Sequence, residues 1–143
     1  MNPIKQSYLV EVNFGSNAPA NGQSIYFQDY PQLRNVFITG ILTGDNNTAT
    51  LSPSGKNIVS QLKGLTLTMV DTENREIIRQ YPVQDLSPFY IYGFYRDFEK
   101  FPVQLTKSYI TVLNSTGYSA NESVLINISY LTPNQLQGSP QRQ

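Results

Sequence analysis

The chain has 143 residues, which suits one domain able to bury about 68–70% of the surface that its unfolded form would expose. Ten basic and ten acidic residues give zero formal net charge, so the chain offers no field that would hold a nucleic-acid backbone or an anionic membrane. Cysteine and histidine are both absent, which excludes disulfides, thiolate chemistry, zinc–thiolate sites and the commonest general base.

Charged residues make up only 14% of the chain, so amide and hydroxyl side chains must solvate much of the surface. Zero net charge also means little repulsion between copies, which favours self-association. The N-terminal sequence lacks the pattern of a signal peptide, and no run of about eighteen apolar residues occurs. We therefore expect a protein made in the cytoplasm without a signal peptide or a transmembrane segment.

Alternating apolar and polar side chains predict strands in the first third of the chain. The first covers Tyr8 to Phe14, and a short one covers Ser24 to Phe27. A longer strand from Gln32 to Thr43 carries apolar residues on both faces, and Gly40 within it indicates a bulge or a close backbone approach. We expect one face to carry Val36, Ile38 and Leu42 and the other to carry Phe37 and Ile41.

The middle of the chain predicts one short helical turn and one hairpin. Three apolar residues at helical spacing favour the helical turn within Ser52 to Lys63; they are Ile58, Val59 and Leu62. The stretch from Gly64 to Val83 contains two β-prone runs separated by the polar run Asp71 to Arg75, which is the pattern of a hairpin. Pro82 is expected to end or kink the second strand.

The last part of the chain predicts three more strands. Pro102 favours an edge strand from Lys100 to Leu105, because proline cannot donate a hydrogen bond to a neighbouring strand. Ser108 to Leu113 forms the next strand. Ser123 to Leu131 forms the last, with one apolar row facing inward: Val124, Ile126, Ile128 and Tyr130.

About eight strands with turn signals between them, and at most one short helix, predict an all-β protein with an antiparallel β-sandwich. A single jelly roll suits the strand count best, with an immunoglobulin-like topology as the alternative. We expect an N-terminal arm at residues 1–6, the sandwich domain at residues 7–131 and a polar C-terminal tail at residues 132–143.

Two acidic motifs are candidates for chemical sites. Asp97 and Glu99 could face one side of a strand as a glycosidase pair, but Arg96 to Lys100 reads better as a charge-balanced surface loop. Asp71 to Asn74 resembles the start of a calcium loop, yet it lacks the glycine and the downstream glutamate that such a loop requires. We therefore predict a hairpin turn there, no enzymatic activity, no metal and no cofactor.

The most aromatic stretch, residues 89–101, contains a cluster formed by Tyr90, Tyr92, Phe94 and Tyr95. One interpretation is a core strand whose aromatic side chains fill the sandwich. The others are a subunit contact or a platform for stacking a sugar, because tyrosine combines a large apolar ring with a hydrogen-bonding tip. These four residues are the candidate contact site of the chain.

Five segments resemble a known family: Leu33–Ile41, Ser52–Gly55, Leu65–Asp71, Tyr81–Leu86 and Lys107–Ile110. In these segments the chain resembles the small capsid proteins of tailless icosahedral bacteriophages, in particular the single-jelly-roll penton proteins of the vertices. The resemblance implies a homopentamer whose strands stand roughly along the particle radius and whose termini contact neighbours or the membrane beneath. It implies no catalytic residues.

We therefore expect a structural virion protein, a capsid penton subunit that assembles with itself and with other capsid proteins and resides in the virion. No nucleic acid and no small-molecule substrate is expected as a partner. The alternative is a carbohydrate- or receptor-binding β-sandwich module that uses Tyr90, Tyr92 and Tyr95. A hydrolase that uses Asp97 or Glu99 ranks last.

Overall fold

The computed structural model describes residues 6–44, 54–59, 61–86 and 96–132. These residues form nine β-strands and three short 3₁₀ helices. The strands are β1 (Gln6–Asn13), β2 (Ser24–Tyr26), β3 (Phe37–Gly44), β4 (Asn57–Ile58), β5 (Leu65–Val70), β6 (Glu76–Pro82), β7 (Arg96–Pro102), β8 (Tyr109–Val112) and β9 (Glu122–Leu131). The 3₁₀ helices are Pro31–Leu33, Val83–Leu86 and Leu105–Lys107.

The strands form two sheets. The first has the order β1-β9-β3-β7, with the two-residue β4 added alongside β9, and the second has the order β2-β8-β5-β6. Every pairing is antiparallel except that of β4 with β9. Without β4, eight strands divide into two four-stranded sheets in the order of a single jelly roll. The predicted all-β sandwich is confirmed.

The core lies between the two sheets, and β9 supplies its longest row of side chains. Val124, Ile126 and Ile128 are fully buried and Tyr130 nearly so, as the alternation predicted. The facing sheet contributes Leu65, Leu67 and Met69 from β5 and Ile110 and Val112 from β8. Each fully buried aliphatic side chain stabilises the fold by about 1.5–3 kcal/mol, so this row is a main source of stability.

Strand β3 contains the predicted bulge, but its faces differ from the expectation. Its register shifts between Ile38 and Gly40 in the pairings with both β7 and β9. The extra residue reverses the alternation, so Ile38 and Ile41 are both fully buried while Phe37 and Leu42 are half-buried. The predicted assignment of Ile38 and Ile41 to opposite faces was therefore wrong.

The helical turn predicted within Ser52 to Lys63 was wrong for the residues that the structure describes. Asn57–Ile58 is the strand β4, which runs parallel to β9, and the Val59 amide donates to the Ser123 carbonyl at 3.0 Å. The pairing of β3 with β9 ends at Gly44, which leaves the start of β9 open for β4. Three apolar residues were too few to distinguish a helix from an extended segment with two buried side chains.

The predicted hairpin is confirmed as β5 and β6, joined by a turn at residues 71–75. Strand β6 ends at Pro82, and the chain continues into the 3₁₀ helix Val83–Leu86. Strand β7 lies at an edge of its sheet, as Pro102 predicted. It covers Arg96–Pro102 and not the predicted Lys100 to Leu105, because Leu105 begins a 3₁₀ helix.

Glycine is favoured at position 64 for two reasons, a left-handed backbone conformation and a close neighbouring backbone. Its φ is +80°, and a Cβ at this position would lie 3.0 Å from the Asn114 carbonyl oxygen. Gly22 has φ +83° but nothing within 4 Å of the equivalent point. We expect Gly22→Ala to destabilise the protein by about 1–2 kcal/mol through its left-handed backbone, and Gly64→Ala to cost more.

Urea unfolding of the two variants measures this difference. Because both glycines have nearly the same φ, the excess loss in Gly64→Ala reports the close approach to Asn114. Equal losses in the two variants would contradict the packing described for this turn.

Candidate functional site

Three loops meet at one end of the sandwich: β2–β3, the β5–β6 turn and β7–β8. They enclose a cleft of about 380 Å³, which we call the loop-end cleft. Its floor is apolar, formed by the buried Leu33, Val103 and Leu105. Its rim is polar and includes Asp29, Arg34, Asn35, Thr72, Gln104 and Thr106. Polar residues make up most of this lining, whereas small-molecule clefts are lined mainly by apolar side chains.

The β5–β6 turn is organised by the carboxylate of Asp71, which is 1% exposed. Its Oδ1 accepts the backbone amides of Glu73 and Arg75, both at 2.9 Å, and its Oδ2 accepts the Arg75 Nε at 3.0 Å. The amide of Arg75 is the main cause that lowers the pKa of Asp71, with the Glu73 amide and the Arg75 side chain adding to it. Asp71 is therefore an ionised structural group.

The same turn is bonded to the β7–β8 loop. The Gln104 side-chain amide donates to the Asp71 carbonyl at 2.7 Å and to the Asn74 Oδ1 at 3.2 Å, and the Lys107 Nζ donates to that Oδ1 at 2.9 Å. Asn74 itself has φ +64°, a left-handed conformation that asparagine tolerates better than most residues. Among the described residues, no group of three or more acidic side chains could hold a metal ion.

Asp29 and Arg34 form an ion pair at the rim of the loop-end cleft. The Arg34 Nε donates to Asp29 Oδ1 at 3.0 Å, and Arg34 Nη2 contacts Oδ2. This side-chain bond lowers the pKa of Asp29. The pair is about half-exposed and contributes little to stability, but it keeps the rim electrically balanced. Neither Asp29 nor Asp71 has the raised pKa that a general acid needs, so these two carboxylates suit binding or structure.

A second cleft, of about 430 Å³, lies beside β1 and is lined by Glu11, Asn13, Gln28, Tyr30, Ser54 and Lys56. The Tyr30 hydroxyl donates to the Glu11 carbonyl and accepts the Glu11 amide, both at 3.1 Å. The Glu11 Oε2 accepts the hydroxyls of Ser54 and Ser123, both at 2.9 Å. These hydrogen bonds of Glu11 and Tyr30, at the second cleft, therefore join β1 to the β2–β3 connection, to β9 and to the segment before β4.

The predicted site residues are only partly within the structure. The candidate contact cluster, Tyr90, Tyr92, Phe94 and Tyr95, lies outside the described residues and stays a prediction. Asp97 and Glu99 belong to β7, with Asp97 opposite Gly40 in β3. The prediction that Arg96 to Lys100 form a loop was therefore wrong, because this segment pairs with the bulged strand β3.

Sequence reasoning missed a buried tyrosine in the polar loop before β9. The Tyr118 hydroxyl donates to the carbonyls of Lys63 at 2.5 Å and Gln61 at 3.3 Å, and its ring lies edge-on to Phe14 with centroids 5.4 Å apart. Burial, with a smaller effect of Glu122, raises the pKa of Tyr118. A lone aromatic residue in the polar run Asn114 to Glu122 was the available signal.

No family model, curated protein or solved structure matches the chain. Within the described part of the chain, no helix is long and apolar enough to cross a membrane.

We expect Asp71→Asn to destabilise the protein at neutral pH, because the amide carries no charge for the three donors that Asp71 accepts. The folded-state pKa of Asp71 is lowered, so its contribution is present above the unfolded value of about 3.9 and is lost as the pH falls through the folded value. The stability gap between the parent and Asp71→Asn should be constant near neutral pH and close below about pH 4.

Urea midpoints between pH 3 and pH 8 measure this gap. Glu73→Gln is the matched control, since Glu73 also pairs with Arg75 but its side chain is 69% exposed. We expect this control to change stability by less than about 0.5 kcal/mol. A gap for Asp71→Asn that persists unchanged in acid would contradict the assigned role of the charge.

Proposed function

We propose that this chain is a structural virion protein, a capsid penton subunit that assembles as a homo-oligomer and with other capsid proteins. The observation that supports the proposal most is the strand order of a single jelly roll. That architecture serves many viral capsid proteins as well as lectins. The sequence resemblance to penton proteins overlaps four of these strands, β3, β5, β6 and β8, and it favours the capsid among these uses.

The polar groups at the loop end also support a structural role. The Gln104 side-chain amide donates hydrogen bonds to the Asp71 carbonyl and to the Asn74 side chain, and these bonds hold the β5–β6 turn against the β7–β8 loop. Such bonds give a loop end of defined shape, which a subunit needs when it must fit repeatedly against identical neighbours. The polar groups of these residues therefore stabilise the loop end itself.

The edge strand β6 is poorly suited to pairing with another sheet. Its pairing with β5 shifts register twice, and Gln80 within it has φ +46°. Glu76 and Arg79 add charge along the strand, and Pro82 ends it. Bulges, charges and proline are the features that prevent uncontrolled edge-to-edge association. We therefore expect subunits to meet through side chains and loops.

The alternative function is a carbohydrate- or receptor-binding module. The loop-end cleft favours it, because loops at the ends of a sandwich are where such folds carry binding residues.

Native mass spectrometry of the full chain, alone and mixed with the capsid proteins encoded with it, tests the proposal. We expect a species containing five copies in at least one of the two preparations. We expect Tyr92→Ala to weaken association by about 30-fold if the aromatic cluster is the subunit contact, since a buried tyrosine anchor contributes about 2 kcal/mol.

Leu113→Ala is the control, because it shortens an exposed side chain elsewhere in the sequence. Its mass distribution should match that of the parent. A monomer in both preparations of the parent protein would contradict the proposed homo-oligomer.

A further inference from the structure

The outward face of the β2-β8-β5-β6 sheet carries two adjacent tyrosines, Tyr26 and Tyr109, which we call the tyrosine platform. They are direct partners across β2 and β8, and their ring centroids lie 5.1 Å apart at an angle of 52°. The neighbouring pair, Ile25 and Ile110, packs against the core, so the tyrosines point away from it. Tyr26 is 56% exposed, which is unusual for a side chain of this size.

Polar groups border the tyrosine platform on two sides. The Tyr109 hydroxyl donates to Glu76 Oε2 at 3.3 Å, and the Arg79 Nε donates to Glu76 Oε1 at 2.8 Å. Two residues along the strands, the hydroxyls of Ser24 and Thr111 lie 3.2 Å apart and are exposed. The platform thus combines aromatic faces with hydroxyl, carboxylate and guanidinium groups, and its two charges cancel.

We propose that the tyrosine platform binds a neutral saccharide. A sugar ring has an apolar C–H face that packs on an aromatic ring, and hydroxyls at its edge that both donate and accept hydrogen bonds. Glu76 can accept from such hydroxyls with its remaining lone pairs, and the Arg79 guanidinium can donate with the N–H groups other than the Nε that bonds to Glu76. The Tyr109 hydroxyl, whose proton goes to Glu76, can accept. Charge-assisted bonds of this kind are the stronger ones. Because Glu76 and Arg79 cancel each other, the surface gives no general attraction to an anionic or cationic ligand.

The size of the apolar surface argues against a protein partner at this position. Among the described residues, the exposed large hydrophobic side chains are Tyr26, Ile77 and Leu113, and all three lie in or beside this face, with Leu113 beyond the end of β8 that is opposite to Tyr109. Three half-exposed side chains present on the order of 300 Å², whereas each partner in a standard protein interface buries about 800 Å². A face of this size fits one or two sugar rings.

This inference goes beyond the proposed capsid role and does not depend on it. The platform lies on one subunit, so saccharide binding is measurable whether the protein is monomeric or assembled. The mass-spectrometry test of the homo-oligomer and the saccharide-binding test of the tyrosine platform can therefore give independent results.

An array of neutral oligosaccharides built from glucose, galactose, mannose and N-acetylglucosamine is the first probe, with sialylated and sulfated glycans beside them. We expect the parent protein to bind at least one neutral structure. Tyr26→Ala should weaken that binding about tenfold or more, because it removes the stacking surface. Glu76→Gln should weaken it as well while leaving the tyrosine pair in place.

Leu113→Ala is the matched control, since Leu113 is also 56% exposed and lies beyond the other end of β8. It should bind like the parent, and all variants should keep the parent's thermal midpoint within a few degrees. Absence of binding by the parent, a preference for the anionic glycans, or full binding by Tyr26→Ala would each overturn the proposal. A change of oligomer mass in Tyr26→Ala without saccharide binding would assign the face to a subunit contact and overturn it too.

Discussion

The structure depends on the pairing of β9 along both of its edges. Strand β1 pairs with it from Gln6 to Asn13, while β3 and β4 share its opposite edge. The inward row of β9 fills the core, so its hydrogen bonds and its burial act together. Strands β1 and β9 are the first and last strands described. Their antiparallel pairing therefore places the start of β1 beside the end of β9.

With this sheet in place, the features that concern function lie elsewhere. The loop-end cleft lies where three connections meet, and the bonds of Asp71 and Gln104 fix its shape. The tyrosine platform lies on the second sheet and faces away from the core. A jelly roll therefore offers two separate surfaces: a loop end shaped by buried polar bonds and an open sheet face that carries aromatic rings.

The sequence predicted those parts of the fold that depend on neighbours along the chain. The alternation in β9 and the polar turn between β5 and β6 are local patterns, and both predictions were confirmed. The faces of β3 were not predictable, because one extra residue at the Gly40 bulge reverses which side chains point inward. Neither Asp71 with Gln104, 33 residues apart, nor Tyr26 with Tyr109 could be paired before the strand order was known. The aromatic cluster at residues 90–95 lies outside the described residues and stays a prediction.

Analysis of purified virus particles tests most directly the proposal that the chain is a capsid subunit. Particles from the infected source culture would be purified by density gradient, quantified by peptide mass spectrometry and reconstructed by electron cryomicroscopy. We expect the chain to be present in the particles and five jelly-roll densities to surround each vertex. A chain that is abundant in infected cells but absent from intact, infectious particles would contradict it.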